Sequence, residues 1–535
     1  MQKLKLAGLS IFSGLLMGVS WPETGGLFPV FFIALIPLLY IEYLIGKKES
    51  NIPSRYVFLF SYITFFTFLL YTCWWIYFAS AGGMIMVVVI YSAFMATTFY
   101  WFHTIKKGLG ENKGYFGLIA LWLAFEYLHS HWEFSHPWNS FGNVFANTPS
   151  IIQWYEYTGL AGGTFWVLLV NILIFKLLKR TFITKEPIKK NKLLVIGIAA
   201  LIVIPASISY QTYNSYIEQG EAIEVVIVQP NIDPYFEKFS GLSPEEQMQR
   251  ILDLAKEKIT PNTKYIVAPE TAIPHSFNEN ETEQIPTIVA IRKLLKTYPN
   301  VTFIIGATTY IDYPPSDKKP TATARENRGS GGWYDVFNSA VQISNNQKVQ
   351  FYHKSKLVLG TEKVPYPEFF APFEKFAIDL GGSMRSYGEE KEAFNLTSNN
   401  INIAPVICYE SIFGDYVTDY VKKGADAIFI MTNDGWWEDT PGYRQHLAYA
   451  RVRAIENRRS IARSANTGSS AFINQRGDLI QPTKWWEAIA IVNDIQLNKT
   501  KTYYTLNGDY LGRITGFIAV LMLFWSWRLK FMTKK

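Results

Sequence analysis

The stretch I-N-I-A-P-V-I-C-Y-E-S, residues 401–411, decides how the polar part of this chain is read. Its first seven residues are apolar except for Asn402 and rich in β-branched side chains, which reads as a buried strand. Cys408 stands at the end of that strand, where a side chain is held rigidly yet reaches a cleft. Alone it would read as a buried structural thiol, the commoner fate of a free cysteine. Two further charges stand in similar places. Glu270 closes Y-I-V-A-P-E and Lys354 follows V-Q-F-Y-H. An acid, a cation and a thiol, each at the lip of an apolar run, form a candidate activated-thiol site. Any one of the charges alone would read as a solvated surface group.

Around this region the chain is built for a membrane. Of 535 residues, 16% are aromatic and only 18% charged. Apolar stretches near 4–20, 28–45, 56–79, 84–103, 115–127, 165–178, 193–209 and 514–529 read as eight spans. The fifth and sixth are short as drawn and extend into their flanks. The first resembles a signal peptide, but Trp21, Pro22 and Glu23 stand where small residues would mark a cleavage site, so it reads as retained. With two cysteines, Cys73 in a span and Cys408 in the polar region, no disulfide framework is expected.

Charge sets the orientation. Lysines and arginines cluster before the first span, in alternate loops (Lys47, Lys48, Arg55; Lys106, Lys107, Lys113; Lys179, Arg180, Lys185, Lys189, Lys190, Lys192) and after the last span. The intervening loops 21–27, 80–83 and 131–163 contain neither. The positive-inside rule therefore puts both termini in the cytoplasm and the long polar segment outside. The net charge of +7 is largely explained by these flanks and gives no argument for nucleic acid. The organisation expected is a membrane domain over 1–210 with seven helices, an outside domain over 221–500 and an eighth span over 511–531.

In the outside domain, short β-branched runs alternate with amphipathic stretches, which implies an α/β layered fold. Residues 243–259 read as a helix with Ser243 as N-cap and Pro244 in the first turn, and 445–459 as another. The stretch 314–332, rich in Pro, Lys, Thr, Arg and Gly, reads as a mobile surface excursion. His129, His131 and His136 have ligand-like spacing, but no cysteine or carboxylate completes the set, so no metal and no cofactor is expected. Tyr235, Phe236 and Phe239 read equally as a lid over acyl chains or as core.

P-E-T-A-I-P at Glu270, Y-H-K-S-K-L-V at Lys354 and V-I-C-Y-E at Cys408, in that order, resemble the carbon–nitrogen hydrolase (nitrilase) superfamily. T-N-D-G-W-W (432–437) and the arginine-rich segment from Gln445 fit as well. Seven spans before such a domain, one after it and H-P-W-N-S-F-G-N (136–143) resemble the apolipoprotein N-acyltransferase family. The resemblance implies an αββα sandwich with a Glu270–Lys354–Cys408 triad and Glu362 as auxiliary acid. Tyr409 would supply an oxyanion N–H, Glu410 a supporting acid, and Phe239 and Trp436 substrate contacts. One departure is L-V-L-G-T-E, where the family commonly has L-V-P-F-G-E. The implied reaction passes an acyl chain from a phospholipid, through a thioester, to the amino group of a diacylglyceryl-modified apolipoprotein. It takes place at a bacterial inner membrane, with the catalytic domain periplasmic. The rivals are a membrane-tethered amidase or nitrilase, which would not need eight spans, and a non-catalytic scaffold or transporter. An intact triad and few charges within the spans argue against the second.

Overall fold

The computed structural model describes residues 2–238, 241–316, 318–327, 329, 331–345, 347–366 and 386–532. They fall into two compact units: Met1–Tyr77, Gly83–Ser215 and Asn507–Lys535 in one, Phe78–Gly82 and Tyr216–Leu506 in the other.

Among the described residues of the first unit seven helices are long and apolar enough to cross a membrane: Gln2–Ser20, Phe28–Gly46, Arg55–Cys73, Ala81–Leu109, Tyr155–Ile183, Ile188–Ser215 and Tyr510–Leu529. The expected fifth span lies in a helix of sufficient length, Glu111–His131. That helix is absent from the apolar seven, and Glu126, His129 and His131 in its second half dilute its hydropathy. Helices approach closely where side chains are small: Gly14 lies against Thr64 and Thr67, and Gly18 against Tyr71. The H-P-W-N-S-F-G-N segment is buried. Its Asn139 takes the thiol proton of Cys73 at 3.1 Å, and the Phe141 amide donates to Glu126 at 2.8 Å. Among the described residues no group of three or more His, Cys, Asp or Glu is arranged to hold a metal.

Among the described residues the second unit contains fourteen strands. They are β1 (Glu221–Gln229), β2 (Thr263–Val267), β3 (Phe277–Asn278), β4 (Thr302–Tyr313), β5 (Arg325–Asn327), β6 (Gly332–Ile343), β7 (Gln350–His353), β8 (Leu396–Ser398), β9 (Ile401–Ile407), β10 (Ala427–Thr432), β11 (Ile461–Ala465), β12 (Ala471–Ile473), β13 (Leu479–Ile480) and β14 (Ile489–Leu497). One sheet runs β14-β1-β2-β4-β6-β5, with β3 on β4 and β7 on β6; the other runs β13-β12-β11-β10-β9-β8.

Period-two burial builds the layers. Along β1, Val225 and Ile227 join a core shared with β9, β10 and β11 of the facing sheet. Val226 and Val228 face the other way, onto Met248, Ile251, Ile288 and Ile291 of helices Pro244–Lys258 and Pro286–Thr297. Helices Gly414–Lys422 and Pro441–Asn457 pack on the second sheet through Val417, Val421, Ala450 and Ala454. The result is the αββα sandwich. Ser243 caps its helix in a reciprocal capping box with Glu246, the arrangement its sequence predicts. The helix expected at 445–459 begins earlier, at Pro441, because Thr440 caps it. The excursion 314–332 is partly built into the sheet: β5 pairs with β6, and the Thr321 and Thr323 hydroxyls bind Asp335 at 2.6 and 2.8 Å.

Candidate active site

Glu270 lies in the loop after β2, and its backbone approaches β4 so closely that only glycine fits behind it. A Cβ on Gly306 would lie 2.5 Å from both the Glu270 Cα and the Thr271 nitrogen. Thr271, the next residue, takes a left-handed φ of 47°, an uncommon conformation for a β-branched side chain. Glu270 is thereby aimed inward. Its Oε1 accepts from Lys354 Nζ at 3.0 Å and Asn338 Nδ2 at 2.8 Å, and its Oε2 from the Asn433 amide at 3.1 Å.

Lys354 is 1% exposed at the end of β7, and its own amide is tied to the Asn338 carbonyl at 2.8 Å. Its ammonium also reaches Glu362 at 3.0 Å. Asn338 Nδ2 bridges the two carboxylates, 2.8 Å from each. The L-V-L-G-T-E loop therefore still delivers its acid without the family's proline. Gly360 turns at φ 85°, and the Val358 amide holds Glu362 Oε2 at 2.8 Å. Burial works against the Lys354 cation, but Glu270, Glu362 and Cys408 hold its pKa well above the ordinary lysine range. Burial likewise works against a charged Glu270, yet Lys354, Asn338 and the Cys408 thiol keep its pKa below the usual value.

Cys408 follows β9 at φ 47°, so the chain turns sharply and presents the sulfur. Strain of this kind persists only where its surroundings enforce it. Ser411 Oγ and His446 Nε2 lie 2.8 and 3.1 Å from the Cys408 carbonyl oxygen and fix the turn. Burial and the Glu270 charge push the thiol pKa well above normal, against the pull of Lys354. The resting pair is therefore a thiol beside a carboxylate.

Glu410 is fully buried and braces the Cys408 and Lys354 loops at once. Its Oε2 accepts from the Ile407 amide at 2.8 Å, and its Oε1 from the Ser355 amide and the Tyr352 hydroxyl, both at 2.7 Å. Burial raises its pKa from 4.5 to about 7 against those hydrogen bonds. A raised carboxyl pKa means the native state holds a proton that the unfolded state has lost. Stability contributed by Glu410 should therefore fall as pH rises from about 4.5 to about 7. Glu410→Gln should flatten that slope. By facing a backbone N–H with an amide donor, it should also cost about 1–3 kcal/mol. Thermal unfolding in detergent against pH checks both.

Residues 13–173 match the family model of the apolipoprotein N-acyltransferase N-terminal domain, and residues 224–505 that of the carbon-nitrogen hydrolases. An apolipoprotein N-acyltransferase of Chlorobaculum tepidum is 32% identical over 526 residues, covering 96% of this chain and 95% of its own. The chain belongs to the apolipoprotein N-acyltransferase family. Apolipoprotein N-acyltransferase 1 of Treponema denticola is 26% identical, covering 96% and 95%, and that of Geobacter metallireducens 25%, covering 94% and 91%.

In this family member the structure brings Glu270, Lys354, Glu362, Cys408 and Glu410 together, with Tyr409 in the turn directly after Cys408. Trp436 lies half-buried in the turn Asp434–Trp437. Tyr235 packs edge-on against it at 5.2 Å and donates to its carbonyl at 3.0 Å. Phe236 is 76% exposed and Tyr235 39%, so neither is a core residue. Phe239 lies outside the described residues. Sequence reasoning missed Asn338, Asn433, Gly306 and a buried chain behind Cys408. In that chain Arg463 Nη2 binds Asp434 Oδ2 at 2.6 Å, and His446 runs from Asp434 to Ser411 at 3.1 and 2.7 Å. The available signal was an arginine inside the strand-like I-A-R-S-A and an acid inside T-N-D-G-W-W.

Proposed function

We propose that this acyltransferase carries an acyl chain from a phospholipid, as a thioester on Cys408, to the α-amino group of the N-terminal S-diacylglyceryl-cysteine of a lipoprotein. The observation that carries the reading is the buried cluster in which Lys354 lies 3.0 Å from both Glu270 and Glu362, with the Cys408 thiol under the opposing pulls of the Glu270 and Lys354 charges. Glu270 takes the thiol proton as Sγ attacks the ester carbonyl. Lys354 and the Tyr409 N–H stabilise the oxyanion. The C–O bond then breaks, and Glu270 returns the proton to the leaving lysophospholipid alcohol. In the second half the neutral acceptor amine attacks the thioester and gives its proton to Glu270. The C–S bond breaks, and the sulfur recovers that proton. Glu362 keeps Lys354 charged through both halves, and Phe239 and Trp436 contact substrate.

The chain is a multi-pass membrane protein. The finer reading has residues 1–210 as the membrane domain, 221–500 as the catalytic domain and 511–531 as the last span. It places the chain in the bacterial inner membrane, with both termini cytoplasmic and the catalytic domain periplasmic. The Lys/Arg asymmetry supports this orientation. Cysteines introduced at Asn280 should react with an impermeant maleimide on spheroplasts, and those at Lys190 should not; the reverse pattern overturns the orientation.

The reaction is tested with purified protein, phospholipid and a diacylglyceryl-cysteine peptide. The reading predicts N-acyl peptide and lysophospholipid in equal amounts. Release of free fatty acid without amide product would instead favour the hydrolase alternative.

A further inference from the structure

We propose that Thr432 is a further catalytic group, whose hydroxyl turns from Asp434 to the Cys408 sulfur as the thiol gives up its proton. The proposal rests on Cys408 being the nucleophile.

Thr432 ends β10, fully buried beside β9. That position sets its Oγ1 3.3 Å from Sγ of Cys408 and 2.6 Å from Oδ1 of Asp434. Both contacts are donor-competent, yet a hydroxyl has one proton. It must choose, and the better acceptor changes during the reaction. In the resting state the sulfur carries its own proton, because burial and the Glu270 charge oppose its loss. The carboxylate of Asp434 is then the stronger acceptor. Burial works against that charge, but Arg463 and His446 hold its pKa far below the usual range. After the thiol proton moves, the sulfur is the anion and draws the hydroxyl. Asp434 can release it, because it keeps Arg463 at 2.6 Å and His446 at 3.1 Å.

The step balances. The S–H bond breaks, an O–H bond forms on Glu270, and the Thr432 O–H bond only rotates. The charges acting on the sulfur explain why such a donor is needed. Glu270 and Asp434 both disfavour the thiolate, and Lys354 is the cation opposing them, itself shared with Glu362. His446 reaches the Cys408 carbonyl rather than the sulfur. A neutral donor on the Asp434 side stabilises the thiolate without adding charge.

The test uses the full-length protein in detergent, with Thr432→Val, which keeps the shape, and Thr432→Ser, which keeps the hydroxyl. Two readouts apply: the single-turnover rate of Cys408 acylation by phospholipid, and the pH dependence of Cys408 alkylation by iodoacetamide. Thr432→Ser should stay within about threefold of the parent. Thr432→Val should acylate about ten- to a hundredfold more slowly, and its alkylation profile should move up by about one to two pH units. Should Thr432→Val not fold, Thr432→Ala replaces it with the same expectation. A folded hydroxyl-free variant with parental rate and profile overturns the proposal, as does Thr432→Ser impaired as deeply as Thr432→Val. Cys408→Ala separates the levels. If it still transfers, the nucleophile reading falls and this proposal with it; if it is inactive while Thr432→Val is normal, only the role of Thr432 falls.

Discussion

Lys354→Met is expected to reduce acyl transfer by about a hundred- to ten-thousandfold. The ammonium it removes is 1% exposed and holds two carboxylates at 3.0 Å. Breaking one partner out of a buried charge cluster costs about 3–5 kcal/mol, because the remaining charge loses its compensation. The same loss applied to a transition state corresponds to about two to four decades in rate. The pH signs are opposite for the two partners. Glu270 has a lowered pKa, so its stabilisation is present above the unfolded value of 4.5 and lost as pH falls through the lower native value. Lys354 has a raised pKa, so its contribution is present below the unfolded value of 10.5 and lost only as pH rises beyond it. Glu270→Gln should be equally inactive, because an amide can neither take the thiol proton nor balance the ammonium. Lys354→Arg should not rescue, since a planar guanidinium does not fit a site built around a compact ammonium. Steady-state transfer by the three variants, with unfolding temperature as the folding control, checks these outcomes.

What the sequence exposed, and what it concealed, follows from how local each signal is. Strands β1, β9 and β10 are runs of β-branched and apolar residues that can only be buried. Cys408, Glu270 and Lys354 stand at the ends of such runs, so position and residue type together marked them. Glu362 was carried by its spacing after Lys354, and the structure places it at 3.0 Å despite the altered loop. Asn338 left no comparable mark. It sits within β6 in a run of mixed polarity and meets Glu270 across 68 residues of sequence. His446 lies in a helix and Arg463 in a strand, where an isolated polar residue reads as solvent-facing. Both are buried because Asp434 brings them together. Gly306 reads as a weak point in a strand, and only the return of the Glu270 loop shows why no larger residue fits. The same limit applies to the helix Glu111–His131. Its polar residues lower its hydropathy, yet Glu126 is taken up by the Phe141 amide and the Thr164 hydroxyl at 2.8 and 2.7 Å.

Cys408→Ala is expected to abolish transfer outright while the protein stays folded, and Cys73→Ser to leave it near normal. Cys73 is fully buried and spends its thiol proton on Asn139 at 3.1 Å, a bond serine can also make. Cys408 is different in kind: it is strained, faces Glu270 and Lys354, and has no substitute among the described residues of that cluster. If the reaction passes through this sulfur, the two half-reactions must be separable, with ping-pong kinetics and a stable half-way state. The direct measurement is the intact mass of the enzyme after incubation with phospholipid and no acceptor. A gain of one fatty acyl group should appear on Cys408, be removed by neutral hydroxylamine, and discharge onto a diacylglyceryl-cysteine peptide as an amide. No adduct, together with intersecting rather than parallel steady-state lines, would instead mean direct transfer in a ternary complex, with Glu270 serving the incoming amine and Cys408 no longer the nucleophile.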